Sequence, residues 1–204
     1  MSILEINHSN YEGRQMDEHR TYSLLRALNE INEKKSKVAV DLGCGHCKFT
    51  DIASVYFDRV VSVDARTERV PETLPKNVSF VKHNAVDHNL ELYDVVICLG
   101  LLYHLTAAEQ ITILKKALGK ELIIDTHMAT IGHTVISEGY EGVFYKEADS
   151  LGEMMKNPKA STTTLQSFWF YEDEFYRMLR EVGYTRIIKF TPEHFPGRTF
   201  MYIK

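Results

Sequence analysis

The strongest constraint on the fold is an alternation. Five short apolar, β-branched runs recur along the chain: VAVDL (38–42), VVSVD (60–64), VSFVK (78–82), YDVVICLG (93–100) and KELIIDT (120–126). Runs of this kind fit strands buried on both faces of a parallel sheet. Between them the pattern predicts helices at Cys47–Tyr56, Thr67–Thr73 and Ala107–Leu118. The last is well bounded, with Thr106 placed to cap it, Glu109 three residues on and Gly119 to stop it. An earlier helix, Met16 to Glu33, carries Tyr22, Leu24, Leu25, Leu28 and Ile31 on its apolar side. Strand–helix alternation of this sort predicts a doubly wound α/β sheet.

The tail departs from the alternation. A helix over Glu172–Val182 ends at Gly183, and strands follow at Thr185–Phe190 and Thr199–Lys204. The turn region between them, Pro192–Arg198, is too short for a parallel crossover, so these two strands must run antiparallel. Five parallel strands closed by such a hairpin is a specific outline.

A chain of 204 residues suits one domain, 1–204, with a helical N-terminal segment over 1–36. Between about 127 and 171 the periodicity fails. That stretch is aromatic and holds four of the chain's eleven glycines, which reads as an ordered insert serving as a substrate-binding lid.

Bulk composition narrows the function classes. The net charge of −4 argues against a nucleic-acid groove, which needs a basic face. No apolar run approaches the ~20 residues of a membrane span, and the N-terminus lacks a secretory pattern. Three cysteines, Cys44, Cys47 and Cys98, are too few for a disulfide framework. The expected setting is the cytoplasm, and the expected partner is a small molecule.

The stretch GCGHCK (43–48) admits three readings. Cys44 and Cys47 have the spacing of a dithiol oxidoreductase, and CGHCK resembles the active-site motif of protein disulfide isomerases. That family, however, has an aromatic residue where this chain has Gly43, and it pairs the dithiol with a cis-proline. The two cysteines could also be half of a zinc site, but no second closely spaced pair accompanies them. The glycines have more context. Asp41 ends a strand, Gly43 and Gly45 make a turn, and Cys47 opens a helix. Asp64 ends the next strand about twenty residues on, where a carboxylate can take both ribose hydroxyls of an adenosine. A dinucleotide loop would need a third glycine at Lys48, and Asp41 would repel a pyrophosphate. An adenosine bearing an ammonium and no phosphate suits the turn better.

VAVDLGCGHCKF, VVSVDA, VKHNAVD and YDVVICLGLLYHL together resemble the class I S-adenosylmethionine-dependent methyltransferases. The resemblance implies a seven-stranded, mostly parallel sheet with a C-terminal antiparallel strand, and S-adenosylmethionine as cofactor. It implies that Asp41, Gly43, Cys44 and Gly45 cradle the methionine part and that Asp64 takes the ribose. Ala65 would lie under the adenine, Asn84 and Ala85 would flank its edge, and Leu99 and Gly100 would floor the sulfonium. The family often has glycine where this chain has Cys47, a replacement acceptable if the backbone there is helical. CLGLLYHL and SFWFYEDEFYRMLREVGY resemble small-molecule and sugar O-methyltransferases, and also the enzymes that carboxymethylate the tRNA wobble uridine.

On this reading the acceptor is a hydroxyl of a sugar or related metabolite. The alternatives are an RNA base or a silent cofactor-binding regulator. A hydroxyl acceptor needs a base, for which His104 and His127 are the candidates, with His133 third. Tyr103, Tyr140, Glu141, Tyr145 and Trp169 are candidate acceptor contacts. Arg20 or Arg14, on an N-terminal segment that also holds Tyr11 and His19, could meet the cofactor's carboxylate.

Overall fold

The computed structural model describes residues 1–7, 16–157, 162–191 and 197–204. The expected strands form at Val38–Leu42 (β2), Arg59–Asp64 (β3), Val78–Lys82 (β4), Val95–Leu99 (β5) and Glu121–His127 (β6). A strand at Ser2–Asn7 (β1) precedes them, and Arg186–Thr191 (β10) and Arg198–Ile203 (β11) end the chain. Together they make one eight-stranded sheet in the order β1-β10-β11-β6-β5-β2-β3-β4. Neighbours pair in parallel except at β11, which runs against both β10 and β6. The doubly wound α/β sheet with one antiparallel strand near its C-terminus is therefore observed, extended by one strand.

That extra strand corrects the reading of 1–36 as a helical segment. SILEIN is extended and pairs in register with β10, Ser2 opposite Arg186 through Asn7 opposite Thr191. The helix that follows runs Met16–Asn29 (α1), shorter than expected at its C-terminal end.

Two apolar layers cover the sheet. On one face, Leu24, Leu28 and Ile31 of the α1 region and Ala53 of Lys48–Tyr56 (α2) pack on Ala39, Val60, Val95 and Ile97. On the other, Ile113 and Leu114 of Ala107–Lys116 (α3) and Phe175, Met178 and Leu179 pack on Val40, Val61, Val96 and Leu122. Consecutive strand residues alternate between the layers, so continuous apolar runs satisfy both faces. β4 is the exception. It is a sheet edge and mostly exposed, not the buried strand its sequence predicts.

Helix boundaries follow local chemistry. Thr106 and Glu109 form a reciprocal capping box at the start of α3. Gly183, at φ 118°, ends the helix Glu172–Val182. The helix expected at Thr67–Thr73 does not form. Pro71 interrupts it, and only a single turn-like bond, Val70 N to Thr67 O, survives.

The insert is built from strands. Val135–Ser137 (β7), Tyr140–Lys146 (β8) and Gln166–Phe170 (β9) make a separate antiparallel sheet. A short helix, Leu151–Lys156 (α4), precedes β9, and the helix Glu172–Val182 (α5) follows it. Most of the expected turn at Pro192–Arg198, the residues 192–196, lies outside the described residues.

One buried carboxylate ties distant parts of the chain together. Asp125 on β6 is fully buried and accepts from Arg198 Nε at 2.7 Å and Arg198 Nη2 at 2.7 Å. It also accepts from Arg20 Nε of α1 at 2.7 Å. Removing a carboxylate that serves two largely buried guanidinium groups strands their charge. We expect Asp125→Asn to lose about 3–5 kcal/mol of unfolding free energy, read from urea midpoints. A loss under about 1 kcal/mol would contradict this account.

Candidate active site

The sheet's strand order reverses between β5 and β2, and ligands of open α/β folds bind beyond the carboxyl ends of the strands at such a point. A cavity of about 510 Å³ lies there. The turn after β2 borders it through Gly43, Cys44 and Gly45, and the ends of β3 and β4 contribute Asp64, Ala65, Asn84 and Ala85. Leu99 and Gly100 after β5 form part of its wall, with Tyr103 and His104 beyond them and Arg20 reaching in from α1. Twelve residues singled out from sequence are thus brought together at one cavity.

The turn is pinned by backbone bonds. Gly43 N and Cys44 N both donate to Val63 O, at 2.8 and 3.2 Å. Gly43 takes φ 71°, and a Cβ there would sit 3.0 Å from the Leu101 Cβ. Gly100 takes φ 83°, a conformation that strains any side chain, and Arg20 Nη2 lies 2.7 Å from where a Cβ would be. Asp64 accepts from Gly45 N at 2.9 Å through Oδ2 and from Arg66 N at 2.9 Å through Oδ1. Each carboxylate oxygen has two lone pairs, so both keep capacity for a ligand hydroxyl.

Cys47 overturns one expectation. Its backbone is left-handed, φ 58° and ψ 17°, not right-handed helical. The residue therefore holds the conformation that glycine adopts without strain, at a cost of roughly 1–2 kcal/mol. The Cys47 thiol donates to Cys44 Sγ at 3.7 Å, and both residues are buried. The bond with Cys47, then burial, then the charge of Asp41 push the Cys44 thiol above its ordinary range. The same bond lowers the Cys47 thiol, against the opposing effect of burial. Among the described residues no cluster of histidine, cysteine and carboxylate side chains suits a metal ion.

Asp41 stands behind the turn and does not border the cavity. Its Oδ2 accepts from Thr50 Oγ1 at 2.6 Å, and Thr50 accepts in turn from Ser62 at 3.1 Å. Burial raises its pKa from 3.8 to about 6, against the opposing bond from Thr50.

His127 is placed apart from the other candidates. It lies outside the cavity wall, with its ring stacked on Trp169 at 4.7 Å. Arginine only donates, so the 2.9 Å contact from Arg198 Nη1 occupies the lone pair of His127 Nε2. Burial and then the Arg198 charge lower the His127 pKa to about 4. The ring nitrogen that a base would use is thus engaged by Arg198 in this ligand-free structure. His104 is differently placed: it borders the cavity, and its Nδ1 lies 2.8 Å from Glu147 Oε2. His133 is exposed, its Nδ1 3.0 Å from Thr134 O, and does not border the cavity.

The aromatic candidates of the insert do not border the cavity. Tyr140 donates to Glu181 Oε2 at 2.6 Å and lies under Arg177, docking β8 onto α5. Glu141 is exposed and engages the start of α5 through its backbone. Trp169 donates from Nε1 to Tyr103 O at 2.9 Å, and Tyr145 stacks on Trp169 at 4.5 Å. Trp169 thus supports the Tyr103 part of the cavity wall from behind. Arg14 and Tyr11 lie outside the described residues, and His19 is buried on α1.

Sequence reasoning missed several wall residues. Arg66 and Arg69 follow Asp64, and Arg69 Nε donates to His46 Nε2 at 2.9 Å above the glycine turn. Arg66 donates to Met154 O and Met155 O, at 2.8 and 2.9 Å, and so fastens the last turn of α4 beside the cavity. Thr162, after α4, completes that side. The helix expected at Thr67–Thr73 would have put Arg69 on a helix surface; without it the segment brings Arg69 to His46.

No protein-family model and no curated relative matches the sequence. Solved structures do. The N-terminal domain of EvdMO1, crystallised in the presence of SAH and D-fucose, matches with a TM-score of 0.65 at 16% identity, over 95% of this chain and 87% of that one. An S-adenosylmethionine-dependent methyltransferase from Mesorhizobium loti matches at 0.63 and 14% identity, over 91% and 99%. Magnesium protoporphyrin IX methyltransferase from Synechocystis, with bound SAH, matches at 0.60 and 13% identity, over 97% and 88%. The chain has the class I methyltransferase fold. Within that fold the eighth strand, β1, and the small antiparallel sheet are additions to the seven-stranded frame.

The Asp41 geometry carries a pH prediction. Its folded-state pKa lies above the ordinary carboxyl value, so the folded protein holds a proton that the unfolded chain has already released. Stability therefore falls as pH rises from about 4 to about 6. Between pH 4 and pH 8, ligand-free Asp41→Asn should gain on the order of 3 kcal/mol relative to wild type. Parallel pH–stability curves for the two proteins would refute the assignment.

Proposed function

We propose that this protein is an S-adenosylmethionine-dependent methyltransferase acting on a small molecule, with a hydroxyl of a sugar or related metabolite as acceptor. The observation that carries the reading is Asp64, a carboxylate ending β3 inside a cavity of about 510 Å³ beside a glycine turn. The donor set fits the cofactor. Asp64 can take the ribose hydroxyls, and Arg20 can pair with the methionine carboxylate over Gly100. The carboxylates Asp41 and Asp64 flank the turn, which favours a cationic ammonium and would repel a pyrophosphate.

When bound, the cofactor supplies a methyl group already activated on a sulfonium. The chain's task is then placement, and holding an acceptor in line is worth up to ~7–11 kcal/mol. Leu99 and Gly100 form the wall nearest that position, and Tyr103 and His104 face the acceptor side. His104 is the one candidate base of the three histidines that borders the cavity. A placed base favours an active enzyme over a silent binding protein. The net charge of −4 favours a small acceptor over RNA. The sugar class draws support from EvdMO1, whose structure was determined in the presence of D-fucose.

Calorimetry with S-adenosylhomocysteine tests the cofactor assignment. Wild type should bind, and Asp64→Ala should weaken binding by about 100-fold or more, the worth of two hydrogen bonds to a charged group. Unchanged affinity in Asp64→Ala would remove the ribose assignment, and with it the proposal.

A further inference from the structure

We infer that Glu147 is a positioning residue that makes His104 the general base, and hence that the acceptor is a protic group rather than a carboxylate. The inference rests on the methyltransferase reading and deepens it. Glu147 follows β8 in the insert, 43 residues from His104 in sequence, and its side chain is only 3% exposed. Burying a carboxylate is costly unless it is hydrogen-bonded and paired. Here Oε2 faces His104 Nδ1 at 2.8 Å. An ionised carboxylate there can only accept, an arrangement that puts the proton on Nδ1 and leaves the Nε2 lone pair for a substrate.

The backbone around this pair is fixed from the same side. His104 sits on the short turn Leu102–His104, and Trp169 Nε1 donates to Tyr103 O at 2.9 Å. Phe168 N donates to Leu105 O at 2.9 Å, and Gln110 Nε2 bridges Leu105 O and Phe168 O at 3.1 and 2.6 Å. Glu147 is itself anchored through its N–H to Leu165 O at 2.9 Å. The small sheet thus holds both the histidine turn and its carboxylate. A group that merely capped or packed would not need a buried anion aimed at one ring nitrogen.

The step balances as follows. The acceptor oxygen forms a bond to the methyl carbon while the carbon–sulfur bond breaks, with its electron pair remaining on sulfur. The hydroxyl proton passes to His104 Nε2, and the resulting imidazolium is stabilised by the Glu147 carboxylate. A carboxylate acceptor would need neither group, whereas a hydroxyl gains typically ~10²–10⁴ in rate from such a base.

Two readouts test this without a known acceptor. In protein labelled with ¹⁵N-histidine, NMR should find neutral His104 as the Nδ1–H tautomer, and Glu147→Ala should abolish that preference. Diethyl pyrocarbonate probes the free lone pair. Its reaction with His104, followed by peptide mass spectrometry at pH 7, should slow about tenfold or more in Glu147→Gln, while His133 is unaffected. S-adenosylhomocysteine binding by Glu147→Gln should match wild type, which excludes general unfolding as the cause. Unchanged His104 reactivity and tautomer in both variants would overturn the positioning role and leave the cofactor reading standing. Failure of wild type to bind S-adenosylhomocysteine would instead overturn the methyltransferase reading, whatever His104 does.

Discussion

The arrangement depends on a single buried carboxylate at the carboxyl edge of the sheet. Asp125 is shared by Arg198 from the last strand and Arg20 from the first helix. Neither arginine could be placed there alone, because a buried guanidinium without a counter-charge is costly. Satisfying that one anion ties the last strand to the first helix and sets Arg20 in the cavity wall. Arg20 is thereby held over Gly100, and Arg198 is turned against His127 and the face of Tyr103. The same ion network also places Arg198 against His127 Nε2.

How much of this could be read from the sequence depends on whether the cause is local. The strands β2, β3, β5 and β6 are buried on both faces, and their apolar runs say so directly. The helix α5 was legible to the residue, because an acidic first turn and a terminal glycine mark its ends. The clustering of 43–45, 64–65, 84–85 and 99–100 at one cavity was legible too, since these residues lie at or just after strand ends that the runs locate. β1 was not, because a single edge strand of six residues carries little periodic signal beside the sequence it joins. The small sheet escaped for a similar reason. Its strands are short and half-buried, and their alternation is broken by Gly142, which lies so close to Trp169 O and Phe168 that no side chain could fit.

The catalytic side was harder to read because its partners are remote. His104 and His127 both follow strands at the same edge, and nothing near either one in sequence distinguishes them. The distinction is made by Arg198, 71 residues beyond His127, and by Glu147, 43 residues beyond His104. One partner donates and the other accepts, so the first removes a lone pair and the second directs one outward. Two imidazoles of equal standing in the sequence acquire opposite capacities from the sign of one contact.

This division explains why the insert contributes so little wall and so much support. Tyr145, Trp169 and His127 stack in a row, and Tyr103 meets the His127 ring edge-on. The middle of the row is held because Trp169 lies between Tyr145 and His127 and is hydrogen-bonded to the Tyr103 carbonyl. Rigidity is what a base needs, since a displacement near 1 Å is enough to lose in-line geometry. The insert reaches the cavity itself through the α4 side, where Arg66 grips Met154 O and Met155 O and Thr162 completes the wall. Acceptor selectivity is therefore expected to follow changes near α4. Changes in the aromatic row should instead act on His104 geometry.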